Sequence, residues 1–418
     1  MQSGEESEML TNKGIEINCD IDDVLNYAIY HNGAHIVRDI CVKNISENDI
    51  ENLTVKIDSY NELVVLFEFG IQKIQPGEEL HFKNLKVGIN ADYLVLLTER
   101  SICKLRVEVY LDEEVIASEI KDITVFAFDQ WPGLQYTPEL LSAFVMPNHP
   151  VITNLLQLTS QYLDNWTSDP SLAGYQFKDI NRVKTMAAAV YAAIQKCNIT
   201  YAEPPSSFEY FGQRIRLADS VLEHHMGTCM DMTLLYVACL EAMGLNPIMI
   251  MKRGHIFAGV WLIDESFADM IMDDPSQLEK RMSKGINELI VVECTAMCAG
   301  KTHDFDDAIN IAERHVSDYE NFAFVIDVVR ARSMGIRPLP VRIKTDAGFE
   351  VQHEDRKEKD ITSAPTAIGD AFDLNNSGEK KQVTKQMQWE RKLLDLSMRN
   401  MLINMRLTKG IVPLLSSD

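Results

Sequence analysis

Long hydrophobic runs are missing from this sequence. No apolar stretch is long enough to cross a bilayer, and the opening residues, Met1-Gln2-Ser3-Gly4-Glu5-Glu6, carry neither the basic nor the apolar region of a leader peptide. A cytoplasmic protein without membrane contacts is therefore expected. Positive charge is also short, with 40 Lys+Arg against 62 Asp+Glu and a net charge of −22. That balance excludes general attraction to nucleic acid or anionic lipid, so contact with DNA is expected only through parts outside this chain. No Gly-x-x-x-x-Gly-Lys-Ser/Thr run occurs, which excludes a phosphate-loop ATPase within these residues. The eight cysteines are scattered, at positions 19, 41, 103, 197, 229, 239, 294 and 298. Such spacing suits free thiols in a reducing compartment and not a disulfide framework. Cys294-x-x-x-Cys298 with His303 supplies half a zinc-ligand set that no second pair completes, so neither a metal nor another cofactor is expected.

What is present is enough apolar material for proper cores: 46% of 418 residues are hydrophobic, which fits two or three domains. The pattern is α+β. Residues 1–130 alternate apolar and polar side chains in short runs, as in Leu105, Val107, Val109 and Leu111, and read as an immunoglobulin-like β-sandwich. Further runs are Ile36 to Val42, Leu53 to Ile57, Leu63 to Phe69, Leu80 to Val87 and Ile123 to Phe128. Trp131-Pro132-Gly133 marks the exit from this domain, and helical periods take over in 131–343. Apolar content collapses over 344–386, which reads as a disordered linker, and an amphipathic helical segment begins in 387–418.

The chemistry concentrates at Gly227-Thr228-Cys229-Met230-Asp231. Thr228 and Asp231 stand in the relation of a capping box, which makes Thr228 the N-cap and Cys229 the first residue of a buried helix ending near Gly244. Unpaired amides and the positive end of the helix dipole favour a thiolate there and are placed to receive an oxyanion. Pro247 to Met251 and Gly254-His255 to Leu262 read as a hairpin, and Glu288 to Glu293 as another strand with the carboxylate at its exit. Cys229, His255 and Glu293 thus offer a nucleophile, a base and an orienting acid. Gln213 is an oxyanion candidate, although a structural amide is the plainer reading. His224 and His225, close to Cys229 in sequence, are rival bases ranked behind His255.

Gly-Thr-Cys-x-Asp, then Gly-His, then Glu-Cys-Thr resembles the transglutaminase-like (papain-like) cysteine-hydrolase core, whose last motif usually reads Asp-Pro-Thr. The resemblance implies Cys229 as nucleophile, His255 as base and Glu293 as third member of a triad. This chain departs in the longer glutamate, the missing proline and a polar insertion from about Asp264 to Asn287. A second resemblance lies in Arg391-Lys392-Leu393-Leu394-Asp395-Leu396-Ser397-Met398-Arg399-Asn400-Met401-Leu402-Ile403-Asn404. It is similar to the segment that introduces the motor in very large bacterial superfamily 1 DNA helicases. Several members of that group act in defence against phage. The resemblance implies the front part of a longer protein, with helicase and nuclease regions or other proteins as partners.

Two functions follow as expectations. One is a cysteine hydrolase, a peptidase or amidase acting on a protein or peptide. The other is a catalytically inactive module of the same fold that regulates the helicase or binds a protein. Strand alternation adds a geometric expectation: Leu289, Val291 and Glu293 share a face, as do His255, Phe257 and Trp261, and antiparallel pairing makes Glu293 and His255 neighbours. The cysteine helix is then expected to pack its N-terminus over that same face.

Overall fold

The N-terminal strands alternate because one face of each is buried. The computed structural model describes residues 14–134, 136–345 and 348–351. Over its first part, strands Ile15–Ile21, Val37–Asn44 and Glu79–Leu85 form a three-stranded antiparallel sheet. Val24–Leu25, Glu114–Val125, Ser101–Leu111, Ile50–Ser59 and Phe67–Ile74 form, in that order, a five-stranded one. Val37, Ile40 and Val42 of the first sheet and Val55, Ile57, Leu105, Val107 and Val109 of the second are fully buried in one shared core. The strands differ from the sequence runs at their ends. Ile123 to Val125 closes the long strand Glu114–Val125, Leu63 precedes the strand that begins at Phe67, and Val87 follows the one that ends at Leu85.

Beyond Phe128 the chain is mixed α+β. Helices Pro150–Thr167 and Ile180–Lys196 pack on the cysteine helix, Cys229–Ala242. Every residue of that helix from Cys229 to Leu240 is buried. A helix apolar on all sides belongs inside a core. Beside it lies an antiparallel five-stranded sheet in the order Ile271–Met272, Phe322–Asp327, Pro247–Lys252, His255–Trp261, Leu289–Val292. The polar stretch from Asp264 to Asn287 contributes the short strand Ile271–Met272 and helix Pro275–Met282. Strand Phe322–Asp327 ends at Asp327, whose side chain caps a helix starting at Val328.

The two faces of this sheet are covered differently. Met249, Met251, Ile256, Ala258, Val260 and Val292 join the core that contains the cysteine helix. Ile248, Ile250, Phe257, Trp261, Leu289 and Val291 face helices Pro275–Met282 and Phe305–Val316 through Leu278, Ala312 and Val316. The cysteine helix therefore lies on the face opposite the one expected. Alternation had identified the two faces correctly, but which helix covers which face is decided by long-range packing.

A hairpin of Arg342–Thr345 and Gly348–Val351 stands where the linker was expected to begin. The remainder of the expected linker and the helical segment 387–418 lie outside the described residues. Among the described residues no helix is long and apolar enough to cross a membrane.

Candidate functional site

The N-terminus of the cysteine helix is held by a complete capping box. Thr228 Oγ1 accepts from Asp231 N at 3.3 Å, and Asp231 Oδ2 accepts from Thr228 N at 2.9 Å. Asp231 also accepts from Arg216, at 2.9 Å from its backbone N and 3.2 Å from its guanidinium. Burial pushes the Asp231 carboxyl above its ordinary value, against these hydrogen bonds. The first turn of the helix is thus tied to residue 216. The amides of Cys229 and Met230 have no carbonyl four residues back within the helix to donate to.

His255 is the first residue of its strand and Glu293 follows the end of the neighbouring one. The strands pair antiparallel from Ala258↔Val292 to Trp261↔Leu289, so beyond that register the two side chains converge. His255 Nε2 lies 2.7 Å from Glu293 Oε2. The other carboxylate oxygen accepts from Thr295 N at 2.9 Å and Thr295 Oγ1 at 2.7 Å, which fixes the carboxylate plane. With Nε2 committed to Glu293, Nδ1 is the nitrogen left for Cys229, which is within hydrogen-bonding reach of the ring. Because His255 starts its strand, the ring reaches the helix tip past the sheet end although the helix packs on the other face.

Burial alone would lower the His255 pKa. Hydrogen bonds with Cys229 and Glu293, and the charges of both, outweigh it and push the ring up to about 10. Burial would likewise raise Glu293, yet hydrogen bonds from His255 and His315, the His255 charge and Thr295 hold its carboxyl well below the usual range. Cys239 and Cys294, buried without such a partner set, are pushed far up by desolvation. An imidazolium beside Cys229 and a carboxylate behind it is the charge order that favours thiolate chemistry.

Gln213 sits next to this helix tip. Its Nε2 donates to Thr228 Oγ1 at 3.3 Å, and its Oε1 is buried with no hydrogen-bond partner among the described residues. Its position depends on a close backbone approach. Gln213–Arg214 pairs with Gln130–Trp131, and Gly133 and Gly212 both take positive φ where those segments touch. A Cβ on Gly212 would lie 2.0 Å from Trp131 O. Gly212→Ala is therefore expected to lower stability by about 1–3 kcal/mol through backbone strain alone, with the clash adding to it, readable as a fall in Tm. His224 and His225 do not join the site: their Nδ1 atoms bond Ser220 O and Cys197 O, each at 2.9 Å.

His315 is the functional candidate that sequence reasoning missed. It lies in the last turn of helix Phe305–Val316, with Nε2 3.4 Å from Glu293 Oε2 and its ring 5.1 Å from that of His255. Its Nδ1 faces Lys252 Nζ at 3.5 Å, and Lys252 is held by Asp318 at 2.6 Å. The donor atoms of His255, Glu293 and His315 lie within 4.8 Å of one another, a spacing that suits a metal. An ammonium only donates, so Lys252 favours the His315 tautomer carrying its proton on Nε2, which suits a hydrogen bond to Glu293 better than ligation. No sequence spacing links position 315 to 293; only the fold does. A hollow of about 220 Å³ opens over His255, Glu293, Thr295, Lys301, His303 and His315. Cys229 itself is fully buried. His303 is half-exposed beside Asp307 and Cys294 Sγ faces Val292 O, so these two do not converge as ligands.

No protein-family model matches this chain, and no curated protein does. Among solved structures it has a likeness to a family 76 glycoside hydrolase from a bovine Bacteroides thetaiotaomicron strain. That match is 9% identical over 50% of this chain and 46% of that one, with a TM-score of 0.11. This chain thus spans less than half of that enzyme's length, and so low a score carries no argument about fold or function.

Proposed function

We propose that the chain carries a transglutaminase-like cysteine hydrolase, a peptidase or amidase, joined to an immunoglobulin-like sandwich. The observation that supports it is the 2.7 Å contact of His255 with a buried carboxylate while the same ring meets a thiol at a helix tip. In this reading Cys229 Sγ attacks an amide carbonyl, a C–S bond forms and the carbonyl electron pair moves to oxygen. The helix-tip amides, with Gln213 alongside, hold that oxyanion. Collapse breaks the C–N bond as His255 gives its proton to the leaving amine. Water then attacks the thioester, activated by the same imidazole, and releases acid and free thiol. Glu293 holds the ring tautomer and stabilises the imidazolium.

The chain would act as the front module of a cytoplasmic DNA helicase of phage-defence type. Its partners would be protein or peptide substrates and the helicase or nuclease regions. Complete burial of Cys229 favours a second reading, a module that retains the architecture but binds or regulates instead of cleaving. Labelling with a small thiol reagent near neutral pH separates the two. For the hydrolase, Cys229 reacts at least about tenfold faster than Cys239, which is buried on the same helix without a base. Equal rates at the two cysteines would leave the binding module as the better account.

A further inference from the structure

The outer face of the three-stranded sheet carries a second cluster of reactive side chains, far in sequence from Cys229. Alternation sends Ile40 and Val42 inward and Asp39, Cys41 and Lys43 outward on the central strand Val37–Asn44. On the neighbouring strand Glu79–Leu85, Glu79 and His81 face the same way. Cys41 stands directly opposite His81 in the antiparallel register, and Lys43 opposite Glu79. A thiol, an imidazole and a carboxylate are thereby brought to one patch by pairing alone. Their donor atoms all lie within 4.8 Å of one another.

We propose that Cys41, Glu79 and His81 form a binding site for a divalent transition metal of the zinc class. The donor chemistry selects the metal: thiolate with imidazole suits zinc or cobalt and is wrong for calcium or magnesium. A tetrahedral zinc has its donors about 3.3–3.6 Å apart, from bonds of about 2.3 Å to sulfur and about 2.0 Å to nitrogen or oxygen. The present spacing closes to that by side-chain rotation, since Glu79 and His81 are exposed and Cys41 is half-buried.

Two features around the three donors favour a cation. Asp39 Oδ2 lies 2.6 Å from His81 Nδ1, which fixes the ring and leaves Nε2 for ligation, the arrangement by which a carboxylate orients a metal-bound histidine. Its other oxygen, Oδ1, is buried with no hydrogen-bond partner among the described residues. A hollow of about 360 Å³ over the patch is lined by Glu16, Asp20, Asp39 and Glu79 against the single cation Lys43. Lys43 holds Glu79 at 2.6 Å, and its side chain is 39% exposed, so the ammonium swings to solvent when a metal takes the carboxylate. On binding, the Cys41 thiol releases its proton to solvent and the sulfur lone pair goes to the metal. Three protein ligands leave a fourth position for water.

The test is a Co2+ titration of the reduced full-length chain, read by thiolate-to-cobalt charge transfer and visible d–d bands, followed by displacement with Zn2+. One equivalent is expected to produce both signals. Cys41→Ser and His81→Ala should each abolish them, and Asp39→Asn should weaken affinity by about 10–100-fold. Lys43→Ala should keep or strengthen binding. Glu293→Gln and His315→Ala should leave the signal unchanged, which separates this patch from the histidines beside Glu293. A missing charge-transfer band, or one that survives Cys41→Ser in a variant with unchanged circular dichroism, overturns the proposal.

Discussion

Glu293→Gln is expected to slow alkylation of Cys229 by about a hundredfold, and His255→Ala by more, with far-UV circular dichroism unchanged. The glutamine keeps the size of the side chain and an acceptor for Thr295, but removes the charge that faces His255 Nε2 at 2.7 Å. Without it, burial regains part of its hold on the imidazole, which keeps the Cys229 support but loses the Glu293 hydrogen bond and charge that help raise it to about 10. A neutral ring no longer stabilises a thiolate. His255 chemical shifts give a second readout. In the native chain the ring should stay protonated through neutral pH and titrate near 10, and in Glu293→Gln its titration should move down. The sign for stability follows from the same shift. The folded value lies above the ordinary 6.5, so the stabilisation is fully present below 6.5 and is lost as pH rises through about 10. A Cys229 alkylation rate indifferent to Glu293→Gln would show that the carboxylate does not act on the thiol through His255.

Asp231→Ala should be the most damaging single truncation at the helix tip, costing about 3–5 kcal/mol and lowering Tm by roughly 10 °C. The carboxylate is 1% exposed and accepts from Thr228 N, Arg216 N and the Arg216 guanidinium. Its removal leaves buried donors without acceptors and a guanidinium without its counter-charge. It also undoes half of the capping box and so loosens the amides at Cys229 and Met230. Asp231→Asn should cost less than the alanine, because the amide keeps the side-chain volume and one acceptor oxygen while its NH2 replaces the other. Thermal unfolding of the two variants checks the contrast, and equal losses would mean that the full carboxylate, not one acceptor oxygen or the side-chain volume, holds the helix tip.

These effects divide according to how far apart in the chain the interacting residues are. The capping box was legible because Thr228 and Asp231 are three residues apart, within the reach of a helix start, and Gly244 duly takes positive φ past the helix end. The mixed α+β character was legible because periods of two and of about 3.6 residues follow from which face is buried. Strand alternation likewise put Leu289 and Val291 on one face with Phe257 and Trp261, as the second core cluster shows. Periodicity does not say what covers a face. The cysteine helix lies on the other side of that sheet, and helices Pro275–Met282 and Phe305–Val316 take the expected place.

Only the tertiary structure brought His315 to Glu293, Arg216 to Asp231, and Gly212 against Trp131 O. The same holds for the register that sets Cys41 opposite His81, since nothing local in either strand specifies its partner. Sequence alone determined the elements, their buried faces and the residue types able to do thiol chemistry, because local sterics, capping and burial act over a few neighbouring residues. The groups surrounding each reactive side chain were decided by chain segments tens to hundreds of residues away, where packing of the whole core outweighs any local preference.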